Sequence, residues 1–213
     1  MDIERINQYI NGLYATRTNL SKTKYSEATA LKDFTPTIDT EVARFLKFII
    51  HLTNARNILE IGTSIGYSTV SMAKEIINNN GKITTIEYDE VVAKQALSNF
   101  ARENVDRAIE LKIGDARKIL PSLSGQYDVI FLDVDKRLYP ALYEDCIRLL
   151  KPDGILIADD TLFPVVDLDE KWRYLIPYIK EFNDLVTHDD RVMSTILPIG
   201  DGVTIAIRRD ADL

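Results

Sequence analysis

Two apolar runs in this 213-residue chain end in acids. One reads Val129-Ile-Phe-Leu-Asp133-Val-Asp135-Lys136, the other Gly154-Ile-Leu-Ile-Ala-Asp159-Asp160. If both are neighbouring strands of an open α/β sheet, their carboxyl ends border the crevice in which such sheets bind ligands. Carboxylates brought together there repel one another unless a positive charge lies between them. A hard divalent ion with a preference for oxygen ligands answers that need. Singly, Asp133, Asp159 and Asp160 could each be a helix cap or a solvated strand end. As a trio they are read as a metal site.

A second group of residues points to a nucleoside. Leu59-Glu60-Ile61-Gly62-Thr63-Ser64-Ile65-Gly66-Tyr67-Ser68 joins a short apolar run to a helical one. Glycines at such a junction allow a tight turn and a close ligand approach, and the helix start favours an anionic group. The spacing is Gly-x-x-x-Gly, not the Gly-x-Gly-x-x-Gly of pyrophosphate binders. Glu87 closes the next apolar run, where an acid can accept both hydroxyls of a ribose. Gly114-Asp115-Ala116 closes the third, where Asp115 can meet an adenine amino group and also cap the following helix.

The elements that must position these residues alternate. Strands are expected at Asn57–Ile61, Lys82–Glu87, Ala108–Ile113, Tyr127–Leu132 and Ile155–Ala158. Helices are expected at Tyr67–Ile77, Glu90–Arg102, Ala116–Leu123 and Leu138–Leu150. Near-continuous apolar strands of this kind belong to a parallel sheet covered on both faces. Lys171–Leu185 reads as a further helix. Arg191–Leu197 and Val203–Arg208 then flank Ile199-Gly200-Asp201-Gly202 as a hairpin. The expected fold is α/β, a doubly wound, mostly parallel seven-stranded Rossmann-like sheet with a C-terminal antiparallel hairpin. One domain spans 1–213, with a helical extension over 1–55 and the cofactor-binding and catalytic sheet over 56–213. In the extension, Ile6, Tyr9, Ile10, Leu13 and Tyr14 mark a first helix. A polar stretch follows from Thr16 to Thr37. A second helix begins near Thr40, with Val42, Phe45, Ile49 and Leu52 on one face.

Composition narrows the class. The net charge of −7 argues against wholesale nucleic-acid binding, although residues 1–56 carry eight basic and six acidic residues, with Arg17, Lys22 and Lys24 as the only charges between Arg5 and Glu27. That stretch reads as a solvated basic face, with a phosphate contact as the alternative. No apolar run approaches the ~20 residues of a membrane span. The start lacks a signal-peptide pattern, and the single Cys146 suits a reducing compartment, so a cytoplasmic protein is expected. Cys146 reads as a small core residue. His51 and His188 have no ligand partner at zinc-like spacing.

These residues resemble the cation-dependent class I O-methyltransferases, the family of the caffeoyl-CoA and catechol enzymes and their bacterial relatives. The matching stretches run from Leu59-Glu-Ile-Gly62 through Gly114-Asp-Ala116, Asp133-Val-Asp-Lys136 and Leu150-Lys-Pro-Asp-Gly154 to Ala158-Asp-Asp-Thr-Leu162, with Pro198-Ile-Gly-Asp-Gly202 beyond. The resemblance implies S-adenosylmethionine held by Ile38, Glu60, Gly62, Ser64, Tyr67, Ser68, Glu87, Asp115, Ala116 and Asp133. It implies a divalent cation, Mg²⁺ foremost with Mn²⁺ or Ca²⁺ as alternatives, on Asp133, Asp159 and Asp160. It implies a homodimer and assigns catalysis to Lys136 and Asp133, with Lys136 taking the acceptor's proton. The chain departs from the family where Asp160 replaces the usual Asn, and where Phe163-Pro-Val-Val replaces Trp-x-Gly beside the acceptor pocket.

The acceptor is expected to be a small catechol-like phenol. The length, Ile6-Asn-Gln-Tyr-Ile10 and the Leu197–Gly202 tail are also similar to the bacterial enzymes that methylate wobble 5-hydroxyuridine in tRNA, which makes tRNA the alternative partner. From other classes, an NAD-dependent oxidoreductase and a non-catalytic cofactor-binding module stay open. Lys136 has a plainer reading as an ion-pair partner of Asp135. Trp172 and Tyr174 read as core or interface residues, with the acceptor pocket as the alternative.

Overall fold

The computed structural model describes residues 3–14, 20–34 and 37–210; Arg17 and the start of the polar stretch lie outside them. Fifteen elements follow one another: α1 Ile3–Tyr14, α2 Lys22–Glu27, α3 Thr40–Thr53, β1 Asn57–Ile61, α4 Tyr67–Ile76, β2 Lys82–Glu87, α5 Glu90–Arg102, β3 Ile109–Ile113, α6 Ala116–Ile119, β4 Tyr127–Leu132, α7 Tyr139–Leu149, β5 Leu150–Ala158, α8 Ile176–Thr187, β6 Val192–Leu197 and β7 Val203–Arg208. The seven strands form one sheet in the order β3-β2-β1-β4-β5-β7-β6. β1 to β5 pair in parallel, while β7 runs antiparallel between β5 and β6. The chain order reverses between β1 and β4, the switch point at which open sheets bind ligands.

Side-chain alternation sorts the core into two layers. On β4, Val129 and Phe131 face a cluster with α3, α4 and α5, while Ile130 and Leu132 face one with α7 and α8. Cys146 is fully buried in the second layer, and burial pushes its thiol up to about 12. On that side Phe182 of α8 meets the ring edges of Tyr139 and Tyr143 of α7, with centroids 5.2 and 6.0 Å apart.

Several expected boundaries move, and prolines account for three of them. The late helix opens as a 3₁₀ turn, Glu170–Leu175, and becomes α-helical only at Ile176, because Pro177 is tolerated in a first turn and not inside a helix. Pro121 likewise ends α6 at Ile119, and Pro140 places the start of α7 at Tyr139. β5 starts at Leu150, five residues before the apolar run: Leu150 pairs with Tyr127, and the register shifts before Val129 meets Ile155. On α3 the buried face is Val42, Ala43, Leu46, Ile49 and Ile50. Phe45 is only half-buried and Leu52 is exposed, so the expected face was turned by about one residue. Within the polar stretch, α2 forms around the buried Tyr25, with Ser21 as its N-cap.

Phe182 is fully buried between two rings and a sheet. Phe182→Ala is expected to destabilise the protein by about 3–5 kcal/mol in denaturant melts.

Candidate active site

The parallel strand ends open into one cleft of about 1240 Å³, larger than the few hundred to about 1,000 Å³ usual for a single small ligand. One half is floored by β1, β2 and β3. There Gly62, Ser64, Glu87, Asp115, Ala116 and Ile38 line the wall. Glu87 accepts hydrogen bonds from the backbone N–H of Ser64 at 2.8 Å and of Asp89 at 2.9 Å, which ties the glycine loop to the end of β2. Asp115 caps α6 by accepting from the Arg117 N–H at 2.9 Å, and the Arg117 guanidinium holds its carboxyl below the usual range.

The glycine loop carries three left-handed residues, Gly62 (φ 104°), Ser64 (φ 48°) and Gly66 (φ 87°). A Cβ at Gly62 would lie 1.8 Å from the carbonyl oxygen of Asp133, and one at Gly66 would strike the Phe100 ring at 2.4 Å. No side chain fits between the loop and the end of β4.

Three of the expected cofactor residues do not line the cleft. Glu60 is fully buried beneath α4, where its Oε2 accepts from the hydroxyls of Thr69 and of Thr85, the latter at 2.6 Å, while its Oε1 has no hydrogen-bond partner among the described residues. Burial pushes its carboxyl up to about 7 against the opposing pull of neighbouring hydroxyls. Tyr67 and Ser68 are also buried, in the first turn of α4. These three support the loop from behind; Gly62 and Ser64 face the open space.

The other half of the cleft holds the acids. Asp133 follows β4, and its N–H donates to the carbonyl of Ile61 at 2.9 Å; Asp159 follows β5, donating to Leu132 at 3.1 Å. Asp160 is left-handed at φ 59°. Between them lies Lys136, which is 6% exposed. Its Nζ is 2.7 Å from Asp133 Oδ1, 2.9 Å from Asp160 Oδ2 and 2.9 Å from the Tyr139 hydroxyl. That hydroxyl also lies 3.0 Å from the carbonyls of Leu132 and Asp159. The plainer alternative, a pairing of Lys136 with Asp135, does not occur: Asp135 caps the next turn and is paired with Arg137. Burial pulls the Lys136 pKa down, but the surrounding carboxylates outweigh it and hold it well above the ordinary value. Burial, reinforced by Asp160 and Asp133, raises Asp159 well above the usual carboxylate range.

The donor chemistry fits a hard cation. Asp133, Asp159 and Asp160 would offer it oxygen ligands, and Asp159 Oδ1 is buried with no hydrogen-bond partner among the described residues. Among the described residues no three such groups are already gathered as a coordination sphere; the Lys136 ammonium bridges Asp133 and Asp160 instead.

Further residues line the same cleft. Trp172 and Tyr174 are 40% and 53% exposed and line the cleft with Tyr178, so they are not core, and the pocket position given as their alternative is where they lie. Lys22 and Asp39 reach the same cleft, paired at 2.8 Å, as does Asp201 from the hairpin turn. A turn signature hides Asp201, and the charge pattern marks Lys22 only as part of a basic stretch, not as the partner of Asp39.

Two outcomes are expected. Gly62→Ala should cost about 3 kcal/mol or more in denaturant melts, since both the positive φ and the Asp133 carbonyl oppose a methyl group. Folded Glu60 keeps its proton up to about pH 7, against 4.5 as the ordinary value. The folded state therefore binds the extra proton between those values, and stability falls as pH rises through that window. Glu60→Gln should remove this slope, gaining about 3 kcal/mol on the wild type between melts at pH 5 and pH 8.

A family profile described as O-methyltransferase matches residues 17–209. The chain is 34% identical over 174 residues to a catechol O-methyltransferase of Niastella koreensis, covering 77% of this chain and 78% of that one. It is 31% identical over 185 residues to the caffeoyl-CoA O-methyltransferase of Medicago sativa, covering 81% and 74%. The O-methyltransferase TomG of Streptomyces achromogenes, solved with SAM, shares the fold at a TM-score of 0.83 and 24% identity, covering 99% of this chain and 100% of that one. The chain therefore belongs to the O-methyltransferase family, beside the catechol and caffeoyl-CoA enzymes, and is a methyltransferase.

Proposed function

We propose that this protein transfers the methyl group of S-adenosylmethionine to a hydroxyl of a small, catechol-like phenol, with a divalent cation held by Asp133, Asp159 and Asp160. The observation that carries the reading is the shared cleft: the glycine loop, Glu87 and Asp115 border one half, and Lys136 with three carboxylates borders the other. The cofactor supplies an electrophilic methyl on a sulfonium, so the protein must aim an oxygen and strip its proton. The cation, Mg²⁺ foremost with Mn²⁺ or Ca²⁺ as alternatives, supplies Lewis-acid charge that lowers the acceptor hydroxyl's pKa.

The chain's own residues do the rest. Gly62 and Ser64 would leave room for the cofactor's amino-acid end, Glu87 would hold the ribose and Asp115 the adenine. Trp172, Tyr174 and Tyr178 offer aromatic surface for a phenol ring, and holding both reactants in one cleft can contribute ~7–11 kcal/mol. Lys136 keeps its proton because Asp133 and Asp160 surround it. If those carboxylates were engaged as ligands, Lys136 would lose that restraint, release its proton to solvent, and as the neutral amine take the acceptor's proton at Nζ. Tyr139 fixes the ammonium's position from below.

The reading extends to a homodimer through α1 and α3, whose Tyr9, Leu13, Phe48 and Leu52 are exposed. No helix among the described residues is long and apolar enough to cross a membrane, which suits a cytoplasmic enzyme. The rival nicotinamide reading draws no support from the family matches.

The test offers labelled S-adenosylmethionine and Mg²⁺ with either a panel of phenols and catechols or cell tRNA. Label is expected in the phenol pool, lost on chelation and restored by added cation. Asp159→Ala should lower turnover by roughly 10²-fold or more, since Lewis-acid assistance contributes several kcal/mol. Label confined to tRNA would reassign the acceptor, and full turnover after chelation would remove the cation from the mechanism.

A further inference from the structure

The carbonyl of Ile65 lies inside the glycine loop, between left-handed Ser64 and Gly66, and Ile65 is fully buried. Two side chains from distant parts of the chain donate to it: the Tyr25 hydroxyl of α2 at 3.0 Å and Asn99 Nδ2 of α5 at 2.9 Å. Both residues are buried, at 2% and 1% exposure. Their orientations are set by further partners. Asn99 Oδ1 accepts from Arg102 Nη1 at 2.7 Å and from Gln95 Nε2 at 3.3 Å, which leaves only its amide hydrogens to face the loop. The second amide hydrogen goes to Thr29 Oγ1 at 3.1 Å, whose own proton goes to the Tyr25 carbonyl at 3.0 Å. The Tyr25 ring meets Tyr67 edge-on at 5.5 Å and carries the Arg102 guanidinium at 5.0 Å.

We propose that Tyr25 and Asn99 are positioning residues for the cofactor, acting through the Ile65 carbonyl. A left-handed serine costs about 1–3 kcal/mol and persists only where its surroundings over-determine it. Here the restraint comes from two sides. Glu87 holds the Ser64 N–H from the cleft, and Tyr25 with Asn99 holds the next carbonyl from behind. Together they fix the peptides between the two glycines, and with them the stretch at Gly62 and Ser64 that borders the cleft. Lys22 and Phe34, from the same part of the chain as Tyr25, line the cleft.

The assignment rests on the cofactor reading of this loop. It is tested in the full-length protein with Tyr25→Phe, which keeps both ring contacts and removes only the donor. S-adenosylhomocysteine binding by calorimetry should weaken about five- to tenfold, the loss of one buried hydrogen bond. The KM for S-adenosylmethionine should rise by the same factor, while the acceptor's KM stays within about twofold. Asn99→Asp, which sets an oxygen against the carbonyl, should weaken S-adenosylhomocysteine more. Wild-type affinity in Tyr25→Phe overturns the assignment, as does a parallel rise in both KM values or a lowered melting temperature with unchanged affinity. A wild type that binds no S-adenosylhomocysteine overturns the cofactor reading, and this assignment with it.

Discussion

Everything at the reactive end of this sheet depends on one buried ammonium among carboxylates. β4 and β5 are parallel neighbours, so Asp133 and Asp159 emerge side by side, and Asp160 follows immediately. Removed from water, these charges would push the strand ends apart or give up their negative charge. Lys136 reaches back three residues along the chain to sit between two of them. Tyr139, one turn further, spans the Lys136 ammonium and the carbonyls of Leu132 and Asp159. A single phenol thus joins both strand ends to the start of α7, and α8 presses Phe182 against its ring. Core packing and reactive chemistry meet in one side chain.

Much of the frame was legible in the sequence because parallel strands buried on both faces read as unbroken apolar runs. β1, β2, β4, β7 and α5 fall within the residues that the pattern marks. The prolines moved helix boundaries that periodicity alone extended too far. The α3 face was misread because Phe45, Phe48 and Leu52 are as apolar as the buried Leu46 and Ile50; hydrophobicity cannot say which side has a partner. α2 was lost inside a polar stretch, since one buried tyrosine and a serine cap make too short a signal.

The site divides in the same way. Acids at strand ends and glycines at a strand–helix junction are local patterns, and the fold gathers Gly62, Ser64, Glu87, Asp115, Asp133, Asp159 and Asp160 around one cleft. Partnerships across the fold have no local trace. Lys136 beside Asp135 in sequence says nothing of Asp160, and Glu60 looks like a ligand until the sheet shows it turned beneath α4. For Trp172 and Tyr174 the sequence left core, interface and pocket open, and the 3₁₀ turn before α8 sets both on the cleft beside Tyr178.

The contact between Gly62 and the Asp133 carbonyl has an evolutionary meaning. The two halves of the cleft share a partition that is backbone on both sides, too thin to admit a methyl group. Point substitution can add nothing to that partition, so a lineage cannot retune the separation between the halves by changing a side chain there. Variation is left to the opposite rim, at Trp172, Tyr174, Tyr178 and Asp201, where side chains border the open cleft. A chain built this way can exchange what it accepts many times over while the alignment of its two halves is inherited unchanged.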